Sequence, residues 1–205
     1  MIDEDKRVLR GNQTMRALEE SVAYLLESKE PQSITVDDIC AHCGVTKGAF
    51  YHHFTSKEEI LSRVITSRMS AYMASAITAA QQEYPDDPPR QIVEWINAIA
   101  SFAIENRSRF AGHFLKGSPS ESWSDLVEDW RGEARRRIEC WQSEGVLRSD
   151  ISAQALHQYC DSFTYGMTSL WMQGYITLPL EPVLVRDFVS TMLSPGFDGG
   201  CAFDG

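Results

Sequence analysis

Cysteine is scarce and unpaired in number: five in 205 residues, at 40, 43, 140, 160 and 201, which excludes a fully paired disulfide scaffold and leaves free thiols as the expectation. Thirteen glycines and eight prolines are too few for a collagenous or low-complexity chain, and 43% apolar with 23% charged residues is an ordinary folded composition. There is no basic excess either. Nineteen Lys and Arg against 29 Asp and Glu give a net charge of −10, which argues against a surface built for general polyanion binding. Long apolar runs are also missing. The nearest, Ser162 to Leu180, has 19 residues without a charge, but it holds six Ser, Thr or Gln, two Gly and Pro179, so no membrane partner is expected. Met1-Ile2-Asp3-Glu4-Asp5 is acidic where a secretory signal would be basic and then apolar, so the expected compartment is the cytoplasm.

Signatures of catalysis are absent as well. No G-x-S-x-G, no phosphate-binding G-x-x-x-x-G-K and no G-x-G-x-x-G occurs, so no catalytic residue and no cofactor is expected and the chain does not read as an enzyme. His157 and Asp161 stand four apart and could orient one another, but such a pair is more often structural. The run Arg135-Arg136-Arg137 faces three directions on a helix and reads as solvated surface.

What is present is helical periodicity, and no run reads as a strand. Met15, Leu18, Val22, Leu25 and Leu26 predict a first helix over about 12–29. Thr35-Val36-Asp37-Asp38 has the form of a capping box and opens a short second helix that Gly44 can close. Thr46 can cap a third, on which Phe50 and Phe54 share one face while Lys47, Tyr51 and His52 fall elsewhere. Ser56-Lys57-Glu58-Glu59 is a second capping-box pattern and starts a long helix that stops before Pro85. Asp87-Pro88-Pro89 opens a nearly wholly apolar helix through Trp95, Ile99 and Phe102 that should be central. A short piece near 110–115 and helices over about 122–144, 152–176 and 182–194 follow. The expected fold is all-α with about nine helices: a three-helix helix-turn-helix domain over 1–58, a helical bundle over 59–195, and a flexible tail over 196–205.

Helix, glycine-containing turn and short helix describe a helix-turn-helix, whose second helix enters the DNA major groove by its N-terminal residues, here Thr46, Lys47 and Gly48. From Ile39 to Ser56 the chain carries Lys47 and no acid, which leaves room for a phosphate despite the net charge. Gly48 lowers helix propensity by about 1 kcal/mol relative to alanine. Either a phosphate or base edge approaches the backbone there, or another helix packs closely.

The residues Ile34-Thr35-Val36-Asp37-Asp38-Ile39, then Gly44-Val45-Thr46-Lys47-Gly48-Ala49-Phe50-Tyr51-His52-His53-Phe54, then Ser56-Lys57-Glu58, resemble the tetracycline-repressor (TetR) family of bacterial transcription regulators. The likeness runs without gaps from about Leu18 to Leu61. It implies that Thr46, Lys47, Gly48, Tyr51 and His52 meet double-stranded operator DNA, and that Thr35 and Lys57 hold phosphates from the starts of their helices, where backbone N–H groups already attract an anion. The other reading makes Tyr51 a core residue and Lys57 a solvated one. Glu30 departs from the family's usual glycine, and Cys40 and Cys43 from its usual alanines. A competing metal reading takes Cys40-x-x-Cys43 with His52 and His53 as zinc-ligand types. Adjacent histidines diverge by about 100° on a helix, so no metal is expected.

In the second half, Trp123, Trp130 and Trp141 fall on one helix face. They are either ordinary core or the wall of a pocket for an unknown small-molecule effector. With Trp95, Ile99, Phe102, Phe110, Phe163 and Met167 they would supply an apolar lining, with His113 as a polar group. On the helix 152–176, Leu156, Cys160, Phe163, Met167 and Leu170 form one seam, and Tyr159, Ser162, Gly166, Ser169 and Gln173 a second that is small and uncharged. A helix without charge on any side is buried on more than one, which suggests a partner copy. The family resemblance places a homodimer interface on the last two long helices, with Leu156, Ser162, Gly166, Ser169, Gln173, Phe188 and Met192 as its candidates. The expected function is a sequence-specific DNA-binding transcriptional regulator, a ligand-released repressor on a pseudo-palindromic operator. The alternative is a helical small-molecule-binding or protein-interaction module of the same fold without operator binding.

Overall fold

The computed structural model describes residues 2–106, 124–176 and 193, and every regular element among them is helical. In order these are α1 (Ile2–Ser28), α2 (Val36–Cys43), α3 (Lys47–His53), α4 (Lys57–Glu83), α5 (Pro88–Glu105), α6 (Ser124–Ser143) and α7 (Ala153–Met172), with one 3-10 turn at Pro31–Ser33. The protein is all-α. Of the nine helices expected, the piece near 110–115 and the helix 182–194, Leu193 apart, lie outside the described residues, as does the tail 196–205.

Helix α1 begins at Ile2, ten residues before the expected start near 12. No proline interrupts residues 2–28, so the backbone stays helical beyond the apolar repeat, which marks only the part with a face to bury. The caps follow local chemistry. Thr35 Oγ1 accepts from the Asp38 N–H at 3.1 Å, and the Asp38 carboxylate accepts from the Thr35 N–H at 2.9 Å, so the capping box is complete. Gly44 closes α2 at φ +71°, a left-handed conformation that other residues adopt at a cost. Thr46 Oγ1 accepts from Ala49 N–H at 3.2 Å to start α3, and Asp87 from Arg90 N–H at 3.0 Å, with Pro88 leading α5. At α4 the Ser56 hydroxyl accepts from Glu59 N–H at 3.1 Å, but the Glu59 carboxylate reaches past it to the N–H and hydroxyl of Thr55, both at 2.6 Å.

Two compact units divide between Arg68 and Met69, inside α4 and ten residues beyond the expected boundary at 58. The first turns of α4 belong to the first unit because they are tied to α1. Ile60, Leu61 and Val64 are buried, Arg63 pairs with Glu19, and Arg68 donates to the Ala23 carbonyl at 2.8 Å. In this unit α1 packs on α2 and α3, burying Leu18, Val22, Leu26, Ile34, Ile39, Phe50 and Phe54, and the buried Ser21 hydroxyl donates to the Ile39 carbonyl at 3.0 Å.

In the second unit the end of α4 joins α5, α6 and α7 in one core of Met73, Ile77, Ile92, Trp95, Ile96, Trp130, Ile138, Trp141, Leu147 and Leu156. Helix α5 is its most buried element, as its apolar sequence requires. Trp95 stacks on Trp141 with ring centroids 5.7 Å apart, so part of the tryptophan stripe is core; Trp123 lies outside the described residues. Arg137 is not the solvated residue expected of the arginine run. Its guanidinium donates to Gln81 Oε1 at 2.7 Å, joining α6 to α4, while Arg136 stays exposed against Glu133.

Candidate functional site

The third helix has two faces because its apolar residues recur four apart. Phe50 and Phe54 are buried with ring centroids 6.0 Å apart, and a helix this short depends on such packing for its stability. Its other face is open: Thr46, Lys47, Gly48 and His52 are exposed and Tyr51 is 57% exposed, so Tyr51 is not the core residue of the alternative reading. Among the described residues, a Cβ built at Gly48 meets only Thr46 Oγ1, at 3.8 Å. Close helix packing within the described chain therefore does not account for that glycine.

Charges around this face are already engaged. Lys47 Nζ lies 2.8 Å from Asp37 Oδ1, and this contact raises the lysine's pKa. Lys29 Nζ lies 2.8 Å from Asp38 Oδ1, and that ammonium, helped by the Thr35 hydroxyl and N–H, holds the Asp38 carboxyl well below the usual carboxylate range. Lys57 Nζ donates to the Gln32 carbonyl at 3.3 Å, which sets its ammonium beside the connection between α1 and α2. Thr35 and Lys57 each stand at the start of a helix, where free N–H groups favour an anion. Sequence reasoning missed Asp37 as the partner of Lys47, since the pair is set by the turn between two helices. Cys40 is buried on α2, and among the described residues no three His, Cys, Asp or Glu side chains converge as metal ligands would.

The bundle holds a cavity of about 30 Å³ lined by α4, α5, α6 and α7. Of the expected lining, Trp95, Ile99 and Trp130 stand in its wall. Phe102, Phe163 and Met167 do not line it, because the rotation of α5 and α7 turns them elsewhere, and Phe110 and His113 lie outside the described residues. Met73, Ile77, Ile92, Ile96, Ala134, Ile138, His157, Cys160, Asp161 and Thr164 complete the wall. Period alone could not select these from other buried positions. His157 Nδ1 lies 3.9 Å from Asp161 Oδ2, which also lies 3.3 Å from Arg131 Nε. Burial pushes the Cys160 thiol up to about 12, so it stays neutral in the wall.

On α7 the two seams separate. Leu156, expected to face a partner copy, is fully buried in the core of its own subunit, and Cys160, Thr164 and Thr168, at successive steps of four, are buried beside it on the same stripe. Ser162 and Gln173 are exposed, and Gly166 and Ser169 half-buried, beside exposed Tyr159, Tyr165 and Leu170. Phe188 and Met192 lie outside the described residues.

Short α2, a tight glycine turn and α3 with an open outer face define a helix-turn-helix DNA-binding domain, carried on a helical bundle. The model for bacterial regulatory proteins of the tetR family matches residues 23–64. The HTH-type transcriptional regulator EthR of Mycolicibacterium smegmatis is 30% identical over 147 residues, covering 70% of this chain and 67% of that protein. The HTH-type transcriptional repressor AcnR of Corynebacterium efficiens is 26% identical over 152 residues, covering 72% of this chain and 75% of its own. Among solved structures, Thermus thermophilus FadR, a TetR-family repressor in complex with lauroyl-CoA, superposes with a TM-score of 0.67 at 13% identity over 87% of this chain and 94% of that one. This chain belongs to the TetR family. It is a DNA-binding transcriptional regulator, as its relatives are, and not an enzyme. No helix among the described residues is long and apolar enough to cross a membrane.

Proposed function

We propose that the chain is a cytoplasmic, ligand-released repressor that binds a pseudo-palindromic operator as a homodimer. Thr46, Lys47, Gly48, Tyr51 and His52 meet the DNA, with Lys47 and Tyr51 on phosphates or base edges and the Gly48 backbone close to the duplex. Thr35 and Lys57 hold flanking phosphates. The carrying observation is the open face of α3, with its glycine unexplained by close packing against other described helices. The small, uncharged face of α7 is the proposed seam of the twofold dimer, and a pseudo-palindrome read by its two recognition helices would have half-sites about 34–36 Å apart, or somewhat more.

The bundle cavity is the effector site. At about 30 Å³ it is far smaller than the roughly 300–1,000 Å³ of a small-molecule pocket, so binding must open the bundle. Met73 and Ile77 in its wall belong to α4, the helix that starts at Lys57, so a ligand that displaces them acts on a continuous element. Coupling of about 1–3 kcal/mol would change operator affinity roughly 5- to 150-fold. The test is selection of bound fragments from the source genome by the full chain and by Tyr51→Ala. One pseudo-palindrome enriched by the wild type and lost by the variant is the expected result. Absence of enrichment would favour the ligand-binding module without operator recognition.

A further inference from the structure

The chemistry of the cavity wall narrows the effector. Trp95 and Trp130 are both more than nine-tenths buried, both stand in the wall, and neither indole N–H finds a hydrogen-bond acceptor among the described residues. A buried donor without an acceptor costs free energy, and a ligand that supplies one recovers it. Asp161 lines the same cavity, and its carboxylate is an acceptor with its charge partly offset by Arg131 Nε at 3.3 Å. Among the described wall residues none is lysine or arginine. The remainder is mostly aliphatic, with Met73, Ile77, Ile92 and Ile138 prominent.

We infer that the cavity takes a compact, uncharged, mainly apolar molecule ending in a group that accepts a hydrogen bond from a tryptophan N–H and donates one to Asp161, as a primary carboxamide does. This rests on the effector role proposed above. A carboxylate would place a second negative charge beside Asp161 and would lose its own hydration on entering an apolar wall. An ammonium offers Asp161 a donor but leaves both indoles unpaired. A carboxamide satisfies both sides at a small desolvation cost.

The test is calorimetric titration of the full-length protein with hexanamide, hexanoate and hexylamine, three molecules with the same number of carbons. Hexanamide is expected to bind about tenfold more tightly than either of the others, the effect of one good hydrogen bond. Trp130→Phe keeps a ring but removes the N–H, and should weaken hexanamide without favouring hexanoate. Asp161→Asn should narrow the gap between hexanamide and hexanoate, a change of preference that mere loss of structure would not produce. Should Trp130→Phe fail to fold, the half-buried Asp161 and the wild-type series decide the matter. A preference for hexanoate or hexylamine, binding of none of the three, or a preference untouched by Asp161→Asn overturns the ligand class. Operator affinity is measured alongside. Tight hexanamide binding with unchanged operator affinity leaves the ligand class standing and removes the sensing role, whereas release by hexanoate does the reverse.

Discussion

Lys47 Nζ is 2.8 Å from Asp37 Oδ1, so the lysine at the start of the reading helix carries an acid of its own chain as a counterion. Both side chains are largely exposed, and such pairs are weak in water, so a DNA phosphate can displace the carboxylate. The carboxylate still repels the phosphate that replaces it. Asp37→Asn is therefore expected to tighten DNA binding several-fold at low salt, with the gain shrinking as salt rises. Fluorescence anisotropy on the selected operator measures this. Unchanged affinity at low salt would mean that the pair does not oppose binding.

Lys57 is the second cation in question, held against the Gln32 carbonyl at 3.3 Å. If it reaches a phosphate, Lys57→Ala weakens binding to all sequences alike and lowers the salt slope by about one. Equal slopes for the two proteins would remove Lys57 from the interface.

Gly166 tests the assembly. A Cβ built there meets nothing within 4 Å among the described residues, so these leave room for a side chain. Gly166→Arg sets a charge in the proposed twofold seam and should yield a folded monomer with weakened operator binding. Sedimentation of this variant at the mass of a wild-type dimer would place the interface on another face.

Asp38 makes the DNA-binding unit sensitive to acid. Its pKa in the folded chain is lowered by Lys29 and Thr35, so the unfolded chain binds the proton more readily. The stabilisation is fully present above the ordinary carboxylate value of about 4 and is lost as pH falls below it. Circular dichroism of thermal unfolding should show Asp38→Asn destabilised at neutral pH and closer to wild type near pH 3. A constant difference between the two would assign the effect to packing.

Most of the first unit was legible in the residues, since caps and helix faces depend on groups three or four positions apart. The Thr35 and Asp38 pair, the Thr46 cap, the Gly44 turn and the division between buried Phe50 and exposed Tyr51 all follow from that spacing. The early start of α1 did not, because a helix continues without an apolar repeat when nothing breaks it. Only half of the Ser56 pattern formed as a capping box, since Glu59 found Thr55 as well placed as the box's own partner.

The helices, the open face of α3 and the likeness to TetR regulators are written in the residues alone, because these rest on local hydrogen bonds and on one helical period. The tertiary structure decided what faces what. It put Leu156 in the core, paired Lys47 with Asp37 and Arg137 with Gln81, and chose Trp95 and Trp130 for the cavity wall over Phe102 and Phe163. The period names the residues that share a stripe on a helix, but the rotation of that helix against its neighbours is set by packing between segments distant in sequence. No count along one chain segment contains that rotation.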